Sequence, residues 1–440
     1  MEMGKRRRAV ELLKDVLIVL LSCSAIWLAL KTPLSTPLHG LFREESGQTA
    51  PDMGQTDGRG TGALPMAMVA NISGSDHLPE GAERVRCGLL YDQAACQELF
   101  QRVAGPLVET LSSAGAPELI SRKQWEEELT SGLGVYLDFQ GEVPLSVLVG
   151  WLSGEETRLD ASVRRLALTV WEDGLCVSYR DESSGGYYRC RSQVGDPFSL
   201  AEALSGLTDN GAFFAFESDL YRHLDPDTLF LPDAPAPAVY TVSNPASGGQ
   251  NALRELVRDL GFSINSTSFY STDEQVARSG DDSVRLSDRG SAQYEGGNLF
   301  PVLRQGGAGE LFDMVETCRQ LALSALAPRC GEARLYLASV EESPEGWEIS
   351  FNYSLNGIPV LTEPGCAARF LVKNGQITQF FLYLRSYTPS GETSLVLPPR
   401  QGAAALSAYG LEGEELLLTY TDMGGDVLTA GWSARNDREG

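Results

Sequence analysis

Histidine is scarce in this chain, and its scarcity limits the catalytic and metal chemistry that the chain can carry out. The 440 residues include three histidines, His39, His77 and His223. A zinc site built from histidines needs at least two of them in one folded body. A histidine general base would have to be His223. That residue stands in Leu-Tyr-Arg-His-Leu-Asp-Pro-Asp, which is typical of a surface turn, so we expect a solvated loop histidine.

Clustered carboxylates are the second possible source of chemistry. Glu126–Glu128 and Glu341–Glu342 are runs of neighbours, whereas a glycosidase needs two carboxylates that converge across a cleft. Asp281, Asp282 and Asp288 lack the spacing of an EF-hand calcium loop. The sequence also contains no G-x-S-x-G, P-loop or dinucleotide-binding glycine pattern. We therefore predict a protein that is not an enzyme, with no catalytic residues, cofactor or metal.

Cysteine is the third reactive residue type. Beyond Cys23 the chain has seven cysteines, an odd number that leaves at least one unpaired or paired between chains. None has C-x-x-C spacing, so a zinc or thioredoxin-type site has no support. Cys176 and Cys190 flank a predicted hairpin and could face each other across it. An exported protein could form that disulfide; otherwise the two residues would be buried thiols that pack as small hydrophobes.

The N-terminus predicts where these residues are located. Residues 5–8 are Lys-Arg-Arg-Arg, and residues 16–30 contain no charged side chain. The apolar stretch continues to Leu34, and its nineteen residues would span about 28 Å as a helix. By the positive-inside rule, residues 1–15 are cytoplasmic, 16–34 form a transmembrane helix, and the rest lies outside.

Two other interpretations of this segment stay open. A cleaved signal peptide would show small residues at a cleavage site, but here the run ends in Leu-Lys-Thr-Pro-Leu. Leu20-Leu21-Ser22-Cys23 resembles a lipoprotein box, although the apolar run continues past Cys23. We favour an uncleaved anchor over both.

Small residues lie together in the middle of the predicted membrane helix. Ser22 to Ala25 read Ser-Cys-Ser-Ala, and small side chains let another membrane helix approach closely. Ser22 and Ala25 are therefore candidate packing residues for a partner helix. The alternative is that this composition carries no meaning.

The charge of the chain excludes some partners. The net charge is −24; residues 1–31 hold six basic and three acidic side chains, so the remainder carries −27. A body this acidic repels nucleic acid and anionic lipid headgroups. We predict no nucleic-acid partner, and a membrane contact only through the N-terminal helix.

The pattern of the remaining sequence predicts an α+β fold with several domains. Residues 35–82 are rich in Gly, Ser, Thr, Asp and Pro and read as a flexible tether. Three α+β units follow at 83–235, 236–300 and 301–440. In each, helical stretches alternate with meanders of short strands, which predicts helices packed on antiparallel sheets.

Local signals sharpen the prediction for particular elements. Asn356-Gly357 and Asn374-Gly375 are strong hairpin signals, and Pro106 should kink or split the helix over 91–112. In the third unit, alternation predicts that four large side chains share one face of a strand: Trp347, Ile349, Phe351 and Tyr353.

Together these features resemble the YycH/YycI proteins of Gram-positive bacteria. The first shared feature is the basic N-terminus with one apolar span and a large outside body. The others are Val135-Tyr-Leu-Asp-Phe followed by Val143-Pro-Leu-Ser-Val-Leu, Leu260-Gly-Phe followed by Val284-Arg-Leu-Ser-Asp-Arg-Gly-Ser-Ala-Gln-Tyr, and Phe351-Asn-Tyr-Ser-Leu-Asn-Gly-Ile-Pro-Val followed by Phe370-Leu-Val-Lys-Asn-Gly-Gln-Ile-Thr.

The resemblance implies a non-enzymatic role. It implies a membrane-anchored accessory protein that modulates a WalK-type sensor histidine kinase controlling cell-wall metabolism. The implied partners are the membrane helix and extracytoplasmic domain of that kinase, with a paralogous regulator as a further candidate. Two alternatives stay open: an extracytoplasmic protein that binds a solute or wall fragment, and an envelope hydrolase.

We predict a single-pass, uncleaved protein with its N-terminus inside and its body outside. Protease added to intact cells should remove the body and leave a short N-terminal fragment, because only the body is accessible. A mature N-terminus sequenced beyond residue 25 would contradict this topology.

Overall fold

The computed structural model describes residues 59–72, 85–304 and 308–435. The predicted membrane helix, with Ser22 and Ala25, lies outside the described residues, as does most of the predicted tether. Among the helices of the described ranges, none combines the length and the apolar character needed to cross a bilayer.

The described residues form an α+β fold of helices packed on antiparallel sheets, as predicted. The seven α-helices in these ranges are α1 Gln93–Ser112, α2 Arg122–Thr130, α3 Leu145–Ser153, α4 Pro197–Ala203, α5 Gln250–Asp259, α6 Glu310–Leu326 and α7 Pro399–Ala408. The strands in the first half are β1 Ala67–Ile72, β2 Val85–Leu89, β3 Glu118–Ile120, β4 Leu133–Pro144, β5 Ser162–Trp171, β6 Gly174–Arg180, β7 Tyr187–Arg191, β8 Phe213–Phe214, β9 Leu229–Phe230 and β10 Ala238–Ser243. Those in the second half are β11 Ser268–Ser271, β12 Gln275–Ser279, β13 Asp282–Leu286, β14 Ser291–Glu295, β15 Arg334–Ser343, β16 Gly346–Leu355, β17 Ile358–Thr362, β18 Ala368–Lys373, β19 Gln376–Tyr383, β20 Ser386–Thr393, β21 Glu415–Asp422, β22 Val427–Leu428 and β23 Ala430–Arg435.

The first sheet has seven strands in the order β2-β1-β4-β5-β6-β7-β3, all antiparallel. Helices α1, α3 and α4 pack on one face, and α2 packs on the other. Because both faces are covered, the central strand β4 is buried along almost its whole length. Accordingly, its first five residues, Leu133 to Leu137, contain no charged side chain and do not alternate strictly between apolar and polar.

The predicted tether is wrong for part of its length. Residues 67–72 form β1, which pairs with β2 on one side and β4 on the other, and five of its six residues are buried. The apolar stretch Met66–Ile72 was hidden by the Gly- and Thr-rich sequence before it. A strand inside a sheet fixes residues 67–72 to the body, so these six residues do not belong to a flexible tether.

The second large sheet has eleven strands. Ten follow the order β11-β12-β13-β14-β19-β18-β16-β17-β21-β23, and β15 pairs with β16; β17 and β21 are parallel, and the other pairs are antiparallel. Helices α5 and α6 pack on its inner face. Strands β11–β14 thus join β19 across position 300, where we predicted a boundary; the three predicted domain limits remain predictions.

The predicted face of β16 is confirmed. Ile349, Phe351 and Tyr353 are at most 1% exposed, and Trp347 is half-buried against the same core, while Ser350 and Asn352 are half-exposed. The two predicted hairpins are also confirmed: Asn356-Gly357 and Asn374-Gly375 all have positive φ, as a two-residue type I′ turn requires.

Helix α1 is not split at Pro106, which was one of the two outcomes predicted for it. It runs unbroken through Pro106, although proline removes one backbone hydrogen bond. Leu99, Phe100, Val103, Leu107 and Leu111 are buried along one face of this helix. Burial of these side chains outweighs the local cost of the proline, since each can contribute about 1.5–3 kcal/mol.

Two glycines allow the first sheet and its helix α3 to approach the second sheet and its helix α6. At Gly141, which follows β4 residue Gln140, a Cβ atom would lie 1.9 Å from the carbonyl oxygen of Leu337 in β15. At Gly150 in α3, a Cβ atom would lie 2.3 Å from the ring of Phe312 in α6. Neither glycine has a positive φ, so both are required for space rather than for backbone conformation.

Replacing Gly141 by Ala should destabilise the body by roughly 1–3 kcal/mol, because the methyl group would overlap a backbone atom that cannot move alone. Gly431→Ala is the matched control, because a Cβ atom at that position would have nothing within 4 Å and alanine is favoured over glycine in a strand. Urea unfolding of the two variants should show a lower midpoint only for Gly141→Ala. Equal midpoints would contradict the close approach of β4 and β15.

Candidate functional site

His223 is not the solvated loop histidine that the sequence predicts. It is half-buried, and its Nε2 donates a hydrogen bond to the carbonyl oxygen of Ala403 at 2.9 Å. The carbonyl oxygen of His223 in turn accepts from the amide of Gly413 at 2.7 Å. The residue therefore fastens its loop to α7 and to the turn before β21.

Cys176 and Cys190 do not form, in this structure, the disulfide that the sequence left open. Both thiols are free and buried, and burial raises the pKa of each to about 11. The register of β6 and β7 pairs Cys176 with Arg191 and Val177 with Cys190. Since neighbouring residues of a strand point to opposite faces, the two sulfurs lie on opposite sides of the sheet. The hairpin was predicted correctly, but its register was wrong by one residue.

A buried charged cluster lies where the first sheet meets the end of the second. It consists of Arg164 and Arg165 of β5, Asp138 of β4, Glu415 of β21, and the loop residues Asp225 and Asp227; five of these are at most 5% exposed, and Asp225 is more accessible. Consecutive residues of a regular strand point apart. Here the pairing of β4 and β5 shifts between Asp138 and Val143, and this bulge lets both arginines reach the same carboxylates.

The distances in the charged cluster are those of a connected network. Arg164 Nη2 lies 2.7 Å from Glu415 Oε2, and Arg164 Nε lies 3.3 Å from Asp138 Oδ1. Arg165 Nη2 lies 3.1 Å from Glu415 Oε1, and its Nη1 lies 3.1 Å from Asp225 Oδ1. Arg164 Nη2 also donates a hydrogen bond to Glu415 Oε1 at 2.9 Å, and hydrogen bonds between charged groups are among the stronger ones in proteins. Arg165 Nη2 contacts Glu415 as an ion pair without a hydrogen bond. The cluster thus ties β5 of the first sheet to β21 of the second.

Burial and charge oppose each other at Glu415. Burial disfavours the carboxylate and would raise its pKa, but Arg164 and Arg165 outweigh burial and hold the pKa at about 2. At Asp227 burial dominates over the attraction of Arg165 and raises the pKa. Glu415 is therefore the carboxylate whose charge this junction stabilises. Apart from Asp225, the cluster is buried, so we assign it a structural role.

A concave groove on the outer face of the second sheet is the candidate functional site. Its volume is about 660 Å³, within the range of ligand sites. We call it the polar groove; its lining residues are Ser283, Arg285, Gln293, Tyr294, Glu295, Ser343, Glu345, Glu348, Arg369, Leu371, Gln379, Phe380 and Phe381.

The side chains of the polar groove form two rows that run across the strands. Strand pairing places one row in the order Arg285, Gln293, Phe381, Arg369, Ser350, which we call the arginine row. The second row, two residues further along each strand, is Ser283, Glu295, Gln379, Leu371, Glu348; we call it the glutamate row. Directly opposed residues on one face are neighbours, so each row is a continuous strip of surface.

Sequence reasoning could not have found this site. Alternation along each strand predicts which of its residues face outwards. It also predicts the inward-facing residues on the opposite face from the groove, such as Ile349 and Phe370, because these are apolar. The rows, however, depend on which strands are neighbours, and β14 pairs with β19 across more than 80 positions of sequence. No local signal specifies that pairing.

In the residues that the structure describes, no group of three or more His, Cys, Asp or Glu side chains is arranged to hold a metal ion.

Acid should lower the folding stability that the charged cluster gives between the two sheets. Glu415 should account for a measurable part of that loss of stability. Its folded-state pKa is about 2 against an ordinary 4.5, so its stabilisation is complete above the ordinary value and is lost as pH falls towards 2. The Glu415→Gln variant should be less stable than the parent by on the order of 3 kcal/mol at pH 7.

The stability gap between the parent and Glu415→Gln should then narrow between pH 5 and pH 2, as measured by urea unfolding at each pH. Glu412→Gln, at an exposed position nearby, is the control and should follow the parent at every pH. Asp181 also has a lowered pKa, because hydrogen bonds from serines outweigh burial, and the comparison of variants cancels its contribution. A gap that does not change with pH would contradict a charged Glu415 at the junction.

Comparison with known proteins gives one likeness. No protein-family model matches the chain, and no curated protein matches it in sequence. Among solved structures, the chain is similar to the crystal structure of YycH from Bacillus subtilis, with a TM-score of 0.52 and 11% sequence identity, over 89% of this chain and 96% of that one. At this identity the likeness establishes the fold. The chain therefore has a YycH-like fold along nearly its whole length, and the resemblance indicated by its sequence is confirmed at that level.

Proposed function

We propose that this chain is a membrane-anchored, extracytoplasmic accessory protein that modulates a sensor histidine kinase of a two-component system related to the cell wall. The observation that carries the proposal is the whole-chain likeness to YycH, which covers almost all of both chains. Because the likeness covers almost all of both chains, it extends to the relative arrangement of the helices and sheets and is not limited to one motif that many folds contain.

The body suits a role in binding rather than in chemistry. Its polar groove is an open sheet face with accessible side chains of both charges. The buried ionisable groups of the charged cluster, in contrast, are held in structural contacts. This division fits a protein that presents a surface to a partner while the rest of the body keeps its shape.

In this proposal, the N-terminal helix contributes to regulation as well as anchoring. Ser22 and Ala25 would pack against a membrane helix of the kinase, because small residues at mid-span allow close helix contact. The extracytoplasmic body would meet the outside domain of the kinase or a paralogous regulator. The two contacts are separable, since one uses the lipid-embedded segment and the other the folded body.

Deleting the gene should change the output of the partner kinase, measured with a reporter driven by its response regulator. A complementing copy that carries Ser22→Leu and Ala25→Leu should insert into the membrane but restore output only in part, because leucine keeps the helix apolar while blocking close packing. Leu20→Val is the matched control; it keeps both apolar character and the small-residue face, and should restore output fully.

Two results would decide against the proposal. Unchanged reporter output in the deletion strain, under conditions in which the kinase is active, would contradict a regulatory role. Full restoration by the double variant, with normal insertion, would contradict the helix contact and would place any regulation in the body alone. Cross-linking of the full chain in its native membrane to the kinase gives an independent readout of the partnership.

A further inference from the structure

The charged side chains of the polar groove are poorly satisfied by one another. Within the described residues, Arg285 and Glu295 make no ion pair or side-chain hydrogen bond, although both line the groove. Arg369 is 3.9 Å from Glu348, and both side chains are almost half-exposed. An exposed pair at that distance contributes little. The groove therefore presents charges that remain available to a ligand.

The glutamate row also carries a repulsive contact. Strand pairing places Glu341 directly opposite Glu348, and like charges opposed in this way destabilise a sheet. Glu345 is 3.6 Å from Lys373, but Glu295 and Glu341 have no cationic partner in the described ranges. A bound cation on this side of the groove would relieve that repulsion.

The two rows are separated by a distance that one small ligand can bridge. Residues two apart on a strand are about 6.6–6.8 Å apart, which is the offset between the arginine row and the glutamate row. Two residues of extended peptide span at most about 7 Å. A dipeptide laid along the strands can therefore place its carboxylate at one row and its ammonium at the other.

The middle of the groove offers apolar contact between the charges. Phe381 and Leu371 are half-buried neighbours on adjacent strands, one in each row. Gln293 and Gln379 flank them with amide groups that make no side-chain hydrogen bonds to described residues. Amide groups of this kind can donate to and accept from a peptide bond, and the ring and the leucine can contact small side chains.

We propose that the polar groove binds a short zwitterionic peptide, with its carboxylate at Arg285 and its ammonium at Glu295. A ligand that is only anionic would meet the unpaired glutamates, and a ligand that is only cationic would meet Arg285. The strongly acidic chain further disfavours polyanions. The proposal goes beyond the regulatory function and does not depend on it, because it concerns binding by the purified chain alone.

The test uses three dipeptide probes that differ only in their end groups. Alanyl-alanine has both charges, N-acetyl-alanyl-alanine lacks the ammonium, and alanyl-alanine amide lacks the carboxylate. Ligand-observed NMR titration of the full chain in mild detergent at pH 7 should show saturable binding of alanyl-alanine. Each capped probe should bind about tenfold more weakly or worse, because it loses one charged contact and leaves a protein charge facing a neutral group.

Surface variants test the placement of the ligand. Arg285→Gln should weaken alanyl-alanine about tenfold while leaving the affinity for the amide probe almost unchanged, because that probe has no carboxylate to lose. Glu295→Gln should show the reverse, with little further loss for the N-acetyl probe. Arg258→Gln and Glu255→Gln, both on the exposed side of α5 and absent from the groove lining, are the matched controls and should bind like the parent.

The possible outcomes separate clearly. Binding that needs both end groups and responds to Arg285→Gln and Glu295→Gln as described supports the proposal. Equal binding of all three probes, binding that depends on one end group alone, or no saturable binding would overturn it. Because no kinase is present, failure here leaves the regulatory proposal standing, and an unchanged kinase reporter would leave peptide binding standing.

Discussion

The close approach of β4 to the second sheet is the constraint on which the rest of this structure depends. Gly141 leaves no room for a side chain beside Leu337, and the bulge around it turns Arg164 and Arg165 towards Glu415. The fold therefore brings charged groups into its interior, where each loses its hydration and must find a partner. Separating the two sheets at this point would take partners from two arginines and four acidic side chains, so the cluster holds the sheets together.

A second buried contact, between helices α3 and α6, also joins the two sheets. Glu316 of α6 is fully buried and accepts hydrogen bonds from Trp151 of α3 at 2.8 Å and from Arg319 at 2.7 Å. The indole thus links α3, which lies on the first sheet, to α6, which lies on the second. Polar contacts therefore join the two sheets at two separate places, one between strands and one between helices.

The sequence predicted the helices and strands better than it predicted which of them are neighbours in the fold. The α5 and α6 helices, the strands of the third unit and the Asn-Gly turns follow from periodicity and turn chemistry, which are local. The predicted tether was wrong at β1 because six apolar residues among polar neighbours give a weak signal. A pairing of Cys176 with Cys190 stayed open in the sequence because the turn residues locate a hairpin without specifying its register. The polar groove and the charged cluster lay beyond prediction for one reason: each joins residues from distant strands, as Arg164 and Glu415 do across 251 positions.

The same distinction explains how a fold can be shared at 11% identity. Core positions require only an apolar side chain of suitable volume, and such cores tolerate extensive replacement. A buried ion network is less tolerant, because removing one partner leaves the other charged and desolvated. Groups such as Arg165 and Glu415 must therefore change together or stay, whereas surface groups such as Arg285 and Glu295 cost little to replace. Arg285 and Glu295 make no ion pair in the described body, and the proposed peptide would supply a partner for each charge.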